Sequence, residues 1–309
     1  MFFALESPSP AARKECIDWL DEALSQNQLQ AHVLIDLAFD NRVLNTPAWR
    51  GLPRHSLYAN TALAKLEHIG LWLVQLPDHA SARAECIDAL MHKAENKPMW
   101  SVVLSTVPHD VLGTQLAPCL QAETPDGLRW PVRWGDTRVL PHLLAALQPA
   151  EVNTWLAQVL TWAWFDRWGR WQDKRVTKAQ DAEPPGMLTD RIWQLDEQRF
   201  AHLVGCGEVD QILSQIDDHR AHLLRPWSPT QAHDRVASAL AVGHKHRLDA
   251  APDCLALATL ALSLDLHFLT HPSFTQALRA TQQGQPFKGC LENLDASFWD
   301  QCALSPETI

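Results

Sequence analysis

The chain has 309 residues, of which 46% are apolar, and its formal net charge is −10. This length and apolar content suffice for two globular domains with substantial cores. The negative charge argues against a general binder of nucleic acid or anionic membranes, because phosphate groups attract an excess of lysine and arginine.

The chain also lacks the segments that mark a secreted or membrane protein. It contains no apolar run of about 18 residues, and its N-terminus has neither the basic nor the apolar segment of a signal peptide. The seven cysteines are scattered and form no CxxC pair, which is typical of free thiols in a reducing compartment. We therefore expect a cytoplasmic protein.

The first half of the chain alternates helix-like and strand-like segments. In residues 9–25, apolar side chains recur at the spacing of an amphipathic helix. Short apolar runs at 32–39, 71–76 and 100–105 predict buried strands, with helical patterns between and after them. This alternation predicts an α/β lobe over residues 1–175, with a mixed sheet flanked by helices.

Two segments of this lobe combine arginine with tryptophan. The first is predicted as an edge strand at 129–134, with Trp130 and Trp134 on one side and Arg133 on the other. In the second, Trp164 and Trp168 share the parity of an extended segment. Tryptophan and arginine are common anchors of protein interfaces. We therefore predict a partner-binding set made of these residues and Arg138: Trp130, Arg133, Trp134, Arg138, Trp164 and Trp168. Two alternatives stay open. The tryptophans can pack in the core with the arginines in solvent, or both residue types can bind single-stranded nucleic acid by stacking on its bases.

Asp136 and Arg138 form a second predicted feature at a strand-to-helix junction. Asp136 is placed to cap a helix that begins near Thr137, and Arg138 to pair with a carboxylate elsewhere. We expect this structural role, with direct contact to a partner as the alternative.

The second half of the chain differs from the first. Residues 176–190 are polar, rich in proline and without periodicity, so we predict a linker there. Residues 191–309 carry helical stripes, for example Val209, Ile212, Leu213 and Ile216, and show no convincing strand. The sequence thus predicts an all-helical second lobe.

Motifs of catalysis, metal binding and phosphate binding are missing from the sequence. It contains no GxSxG, HExxH, GxGxxG or GxxxxGK pattern. Asp36 and Asp136 can both lie at strand ends, so a hydrolase stays a weaker alternative. His202 and Cys206 have a spacing that permits metal ligation, but glycines bracket the cysteine. We expect no catalytic set, no metal site and no cofactor.

The segment from Trp100 to Leu140 carries a resemblance to a known family. A strand-like run at 100–105 is followed by a helical pattern, a turn at 125–127 and the stretch 133–140. In that stretch Asp136, Arg138, Val139 and Leu140 match the family pattern, whereas Gly135 replaces an aromatic residue and Thr137 a proline. Shorter similarities lie upstream, at 33–36, 55–58 and 66–74. Over roughly residues 31–160, the chain resembles the adaptor chaperones (Tap or Tec proteins) that load toxic effectors onto the type VI secretion spike.

This resemblance implies binding and delivery, without catalysis. The expected partners are the N-terminal region of one effector, the spike protein VgrG and a PAAR-type tip.

Overall fold

The computed structural model describes residues 2–25, 28–178 and 192–304, and these residues divide into two compact units. The first unit comprises Ser7–Cys206, and the second comprises the chain from Gly207 together with the N-terminal residues up to Glu6. The predicted linker at 176–190 lies mostly outside the described residues and stays a prediction.

The first unit contains helices and two sheets. Its strands are β1 (Gln30–Asp36), β2 (Arg54–Ser56), β3 (Leu71–Gln75), β4 (Trp100–Ser105), β5 (Gln121–Glu123), β6 (Arg129–Pro131), β7 (Val159–Phe165), β8 (Trp171–Arg175) and β9 (Trp193–Gln194). Its helices are α1 (Pro10–Ser25), α2 (Ala80–Lys93), α3 (His109–Leu116), α4 (Leu140–Ala146), α5 (Pro149–Trp155) and the first part of α6 (Glu197–Arg220). Short 3-10 helices lie at Val43–Asn45, Pro47–Trp49, Ala64–Ile69 and Ala117–Leu120.

The larger sheet has six strands in the order β2-β3-β1-β4-β7-β8, and all its pairings are antiparallel. The smaller sheet has the order β6-β5-β9, with β5 antiparallel to β6 and parallel to β9. The predicted α/β class with flanking helices is confirmed, and parallel pairing occurs in the smaller sheet alone among the described strands. Strand β9 was not predicted, because a segment of two residues is too short to show the alternation of a strand.

Helices cover both faces of the six-stranded sheet. Val33 and Ile35 of β1 pack with α1 and α2, while Leu34 between them packs on the opposite side with α3 and α4. Because neither face of the strand meets solvent, β1 reads as a continuous apolar run instead of an alternating one. His32 is buried in this strand and donates from Nε2 to the Val107 carbonyl oxygen at 3.1 Å. Burial lowers the pKa of His32 to about 4.

The second unit is helical, as predicted. After the end of α6 come α7 (Pro229–Lys245), α8 (Ala251–Ser263), α9 (Pro272–Gln282), α10 (Phe287–Glu292) and α11 (Ala296–Cys302), with 3-10 helices at Ala221–Leu223 and Leu266–Thr270. The predicted stripe on α6 points into the core through Ile212, Leu213 and Ile216. Extended pairing among the described residues of this unit is limited to one bridge, Leu264 with Ala303.

The N-terminal residues pack with this helical unit. Ala4 is buried in its core, and the Glu6 carboxylate accepts hydrogen bonds from Thr230, from the amide at 3.1 Å and from the hydroxyl at 2.8 Å. The sequence offers no period in these few residues from which that packing can be predicted.

His244, near the end of α7, lies between two carboxylates. Its Nε2 is 2.9 Å from Glu208 Oε2, and its Nδ1 is 2.8 Å from Asp249 Oδ1. Burial opposes protonation, but the hydrogen bonds to Asp249 and Glu208 outweigh it and raise the pKa of His244.

None of the helices in the described part of the chain combines the length and apolar character needed to cross a membrane.

Candidate functional site

The β5–β6 hairpin presents apolar side chains to solvent. Trp130 is 56% exposed and Leu128 is similarly exposed. Strand β6 lies at the edge of the three-stranded sheet, and Arg129 on it pairs with Glu123 of β5 at 2.9 Å. The turn between the strands contains Gly127 with φ of +79°, a conformation that glycine adopts without strain. A rigid hairpin therefore holds a large exposed aromatic residue on an edge strand.

The alternation predicted for 129–134 fails at Trp130, whereas Val132 and Trp134 are buried and Arg133 between them stays partly exposed. Strand β6 ends at Pro131, and one further backbone hydrogen bond follows it, from the Val132 amide to the Leu120 carbonyl oxygen at 2.8 Å. Trp130 lies in solvent, although it shares parity with the buried residues Val132 and Trp134. Trp134 is only 1% exposed, so the prediction of a surface role for this residue is corrected to a core role.

Trp134 is the centre of a stacked group of tryptophans. Its ring lies 5.6 Å from that of Trp162 and 5.8 Å from that of Trp193, with interplanar angles of 22° and 29°. The Trp134 indole donates to the carbonyl oxygen of Cys119 at 2.7 Å, and the Trp162 indole donates to the Ser101 hydroxyl at 2.8 Å. Part of the tryptophan content is therefore explained by core packing.

The second arginine and tryptophan segment also divides between core and surface. Trp164 is buried in β7, so it too belongs to the core and not to an exposed surface. Trp168 is 46% exposed in the turn after β7, because the strand ends at Phe165 and the predicted extended parity does not continue. The guanidinium of Arg170 lies over its ring at 4.9 Å from the centroid and also pairs with Asp166 at 2.9 Å.

Arg133 joins the segment after β6 to the end of β1. Its guanidinium donates to Asp36 Oδ2 at 2.9 Å and lies over the Phe39 ring, 4.4 Å from its centroid. The other carboxylate oxygen of Asp36 accepts from the Ala38 amide at 3.0 Å. Burial raises the pKa of Asp36, and the Arg133 charge acts against that rise. The Arg133 side chain stays 42% exposed, so it can still face a partner.

Gly135 allows this close approach. A Cβ at this position would lie 2.6 Å from Asp36 Cβ and 3.0 Å from Leu71 Cδ2. The first distance is shorter than real Cβ contacts, and the second is tighter than most of them. Glycine stands here in place of the aromatic residue of the family pattern because the site has no room for a side chain.

Asp136 and Arg138 form a local pair. The Asp136 carboxylate accepts from the Arg138 amide at 3.1 Å and from its guanidinium at 3.0 and 2.7 Å. Helix α4 begins at Leu140, with Val139 at its N-cap and no side-chain cap. The helix thus begins three residues later than predicted, while the Asp136 carboxylate accepts an amide hydrogen, as expected, in the turn that precedes it. Arg138 was predicted to pair with a carboxylate elsewhere in the chain, and among the described residues it pairs with Asp136, two residues before it.

The arginines of these segments are largely neutralised by carboxylates. Arg129, Arg133, Arg138 and Arg170 each form an ion pair. Such pairs reduce the positive charge that could hold a phosphate backbone. They also occupy Asp36 and Asp136, the two carboxylates considered for catalysis.

Two groups of side chains with metal-ligating atoms occur among the described residues. One joins His142 to His202 and Cys206, and the other contains Glu208, His244 and Cys254. The sequence shows the pair His202 and Cys206 by its spacing. It gives no sign of His142, which is brought there only by the packing of α4.

Residues 31–154 match the model of a family described as a domain of unknown function (DUF4123). The match runs from β1 into α5 and covers less than half of the chain, so α1, β7 and β8 of the α/β unit lie outside it. The chain has no match among curated proteins and none among solved structures. Residues 31–154 are therefore similar to DUF4123 domains, a family known in type VI secretion effector adaptors.

Proposed function

We propose that the protein is a non-catalytic adaptor chaperone of the type VI secretion system. In the cytoplasm it binds the N-terminal region of one effector and helps to load that effector onto the spike protein VgrG, with a PAAR-type tip as a further partner. The observation that carries this proposal is the match of residues 31–154 to DUF4123.

The exposed edge of the β5–β6 hairpin is the partner surface that we favour. It lies inside the matched range, and Leu128 and Trp130 give it an apolar character. Pro131 leaves this short edge without one main-chain donor, so the contact is expected to depend mainly on the exposed apolar side chains. Tryptophan is among the residues that contribute most at such interfaces.

Two further residues of the predicted set can take part in binding. Trp168 and the side chain of Arg133 are both exposed enough to meet a partner. Trp168 lies outside the matched range, in the β7–β8 turn. It is therefore suited to contacts that differ from one family member to another.

The physical basis of the proposed chaperone activity is binding to one state of the client. Apolar segments of an effector aggregate when they are exposed. A protein that covers them stabilises the soluble form by an amount that grows with its concentration relative to Kd. Release then follows when the spike offers more favourable contacts.

Co-expression with the neighbouring effector tests the function. We expect effector solubility and VgrG co-purification to depend on this chain. Independence of both from the chain would refute the adaptor function.

Single substitutions test the surface. Trp130→Ala is expected to weaken effector capture by more than about tenfold, since hot-spot tryptophans contribute about 2 kcal/mol or more. Val111→Ala, at an exposed apolar position on α3, is the matched control. Equal capture by the Trp130 and Val111 variants would exclude the β6 edge while leaving the adaptor function intact.

A further inference from the structure

Three potential metal ligands converge where α4 meets the first turns of α6. His202 and Cys206 are one helical turn apart on α6, so their side chains share a face. His142 on α4 completes the group, and one ligand atom from each residue lies within 4.8 Å of the others. The two imidazole rings meet edge to face, with centroids 5.8 Å apart.

The separation of two of these ligand atoms fits a tetrahedral ion. Zinc binds thiolate sulfur at about 2.3 Å and imidazole nitrogen at about 2.0–2.1 Å, which places these two atoms about 3.6 Å apart at a tetrahedral angle. Cys206 Sγ and His202 Nε2 are 3.7 Å apart. These two ligands can therefore hold zinc almost without movement, and the ligand atom of His142 lies within 4.8 Å of both.

We propose that His142, His202 and Cys206 bind a Zn²⁺ ion, with water in the fourth position. Imidazole and thiolate together favour zinc over magnesium or calcium, which prefer oxygen ligands. His202 is exposed and the other two residues are half-buried, so an ion can enter from solvent. The ion would join α4, which lies in the family-matched range, to α6, which lies outside it.

Zinc binds neutral imidazole and deprotonated thiol, so the protonation of these ligands affects its affinity. Burial lowers the pKa of His142, and the nearby His202 and Arg167 act in the same direction, so a neutral imidazole is available. Burial raises the pKa of the Cys206 thiol. Zinc must therefore displace the thiol proton, and its affinity is expected to rise with pH. The Arg167 charge opposes a cation and limits the affinity.

The second group of potential ligands is less available. Both ring nitrogens of His244 already contact carboxylates, those of Glu208 and Asp249. Cys254 is buried, its thiol donates to the Leu248 carbonyl oxygen at 3.3 Å, and burial raises its pKa to about 11. The two groups can be separated by substitution because they share no residue.

Titration of the purified, metal-stripped full chain with Co²⁺ tests the site, since thiolate-bound cobalt has a charge-transfer absorption band. We expect one tightly bound ion per chain, that band, and displacement by Zn²⁺. His202→Ala changes an exposed residue and should weaken binding by more than about tenfold, the loss that removal of even an outer-shell partner can cause. Cys206→Ser should abolish the charge-transfer band. His92→Ala, an exposed histidine on α2, is the control and should bind like the unaltered chain.

Several outcomes would overturn the proposal. The first is the absence of saturable binding by the unaltered chain. The second is a charge-transfer band that persists in the Cys206 variant. The third is binding that survives in the His202 variant and is lost in His244→Ala, which would place the ion in the helical unit.

Discussion

Replacing Trp134 by alanine tests whether this residue is a core element or a partner anchor. The side chain is 1% exposed, is stacked with Trp162 and Trp193, and donates a hydrogen bond to a buried backbone carbonyl. About 200 Å² of buried aromatic surface at about 25 cal/mol per Å² corresponds to about 5 kcal/mol. Because the unfolded chain already buries some of that surface, we expect a loss of about 3–5 kcal/mol in the free energy of unfolding.

The assay is urea unfolding followed by far-ultraviolet circular dichroism, with each transition fitted separately because the chain has two compact units. Trp134→Phe separates the two contributions. It keeps most of the apolar contact but removes the indole donor, so a loss of about 1–3 kcal/mol is expected. Trp130→Ala is the matched control, and its exposed position predicts a change within about 0.5 kcal/mol.

Two results would refute this reasoning. One is a Trp134→Ala protein that unfolds at the same urea concentration as the unaltered chain. The other is a Trp130→Ala protein that is destabilised as strongly as the Trp134 variant. Either result would mean that the hairpin and the stacked group are packed differently from the structure described above.

Three further predictions concern stability. Gly135→Ala should cost about 1–3 kcal/mol in urea unfolding because its Cβ has no space, whereas Gly289→Ala, with nothing within 4 Å, should be neutral or stabilising; equal effects would contradict the close approach. His244 contributes stability that is complete below its unfolded pKa of about 6.5 and is lost as pH rises through its raised folded pKa. His244→Gln should therefore flatten the dependence of Tm on pH above about pH 6.5. An unchanged dependence would exclude the ion pairs. His32 behaves in the opposite way, because its folded pKa of about 4 means that the unfolded state binds the proton first, and stability therefore falls as pH drops from about 6.5 towards 4. His32→Gln should reduce the loss of stability between pH 7 and pH 5, measured by urea unfolding. An equal loss in the variant and the unaltered chain would contradict the lowered pKa.

The sequence was most informative where a periodic pattern is long or a strand is buried on both faces. Helix α1 begins at residue 10, against a predicted 9, and β4 has the predicted bounds of 100–105. The fold class follows from such segments because their burial is decided by local apolar content. Residues 121–123 and 193–194 were missed as strands, since a strand of two or three residues carries no pattern and forms only when its neighbour is present.

The direction of an individual side chain was harder to predict than its segment. Parity assigns Trp130 and Trp134 to one face only if the strand continues between them, and Pro131 ends it. Likewise, Trp168 lies in a turn and Trp164 in the core, although both are even-numbered members of one apparent run. A proline or a glycine-containing turn within a short strand should therefore end any inference from alternation.

The arginines show a different limit, because their chemistry depends on partners far away in the chain. Arg133 and Asp36 are separated by 97 positions and meet only when the turn after β6 approaches the end of β1. In the sequence, arginines beside tryptophans resemble a nucleic-acid binding surface. In the fold, each of four such arginines pairs with a carboxylate: Arg129, Arg133, Arg138 and Arg170. An acidic chain can contain such a segment without binding phosphate, since the excess of aspartate and glutamate supplies the internal counter-charges. The exposed tryptophans then remain as the part of the motif that can contact another protein, and this favours a protein partner over nucleic acid on physical grounds.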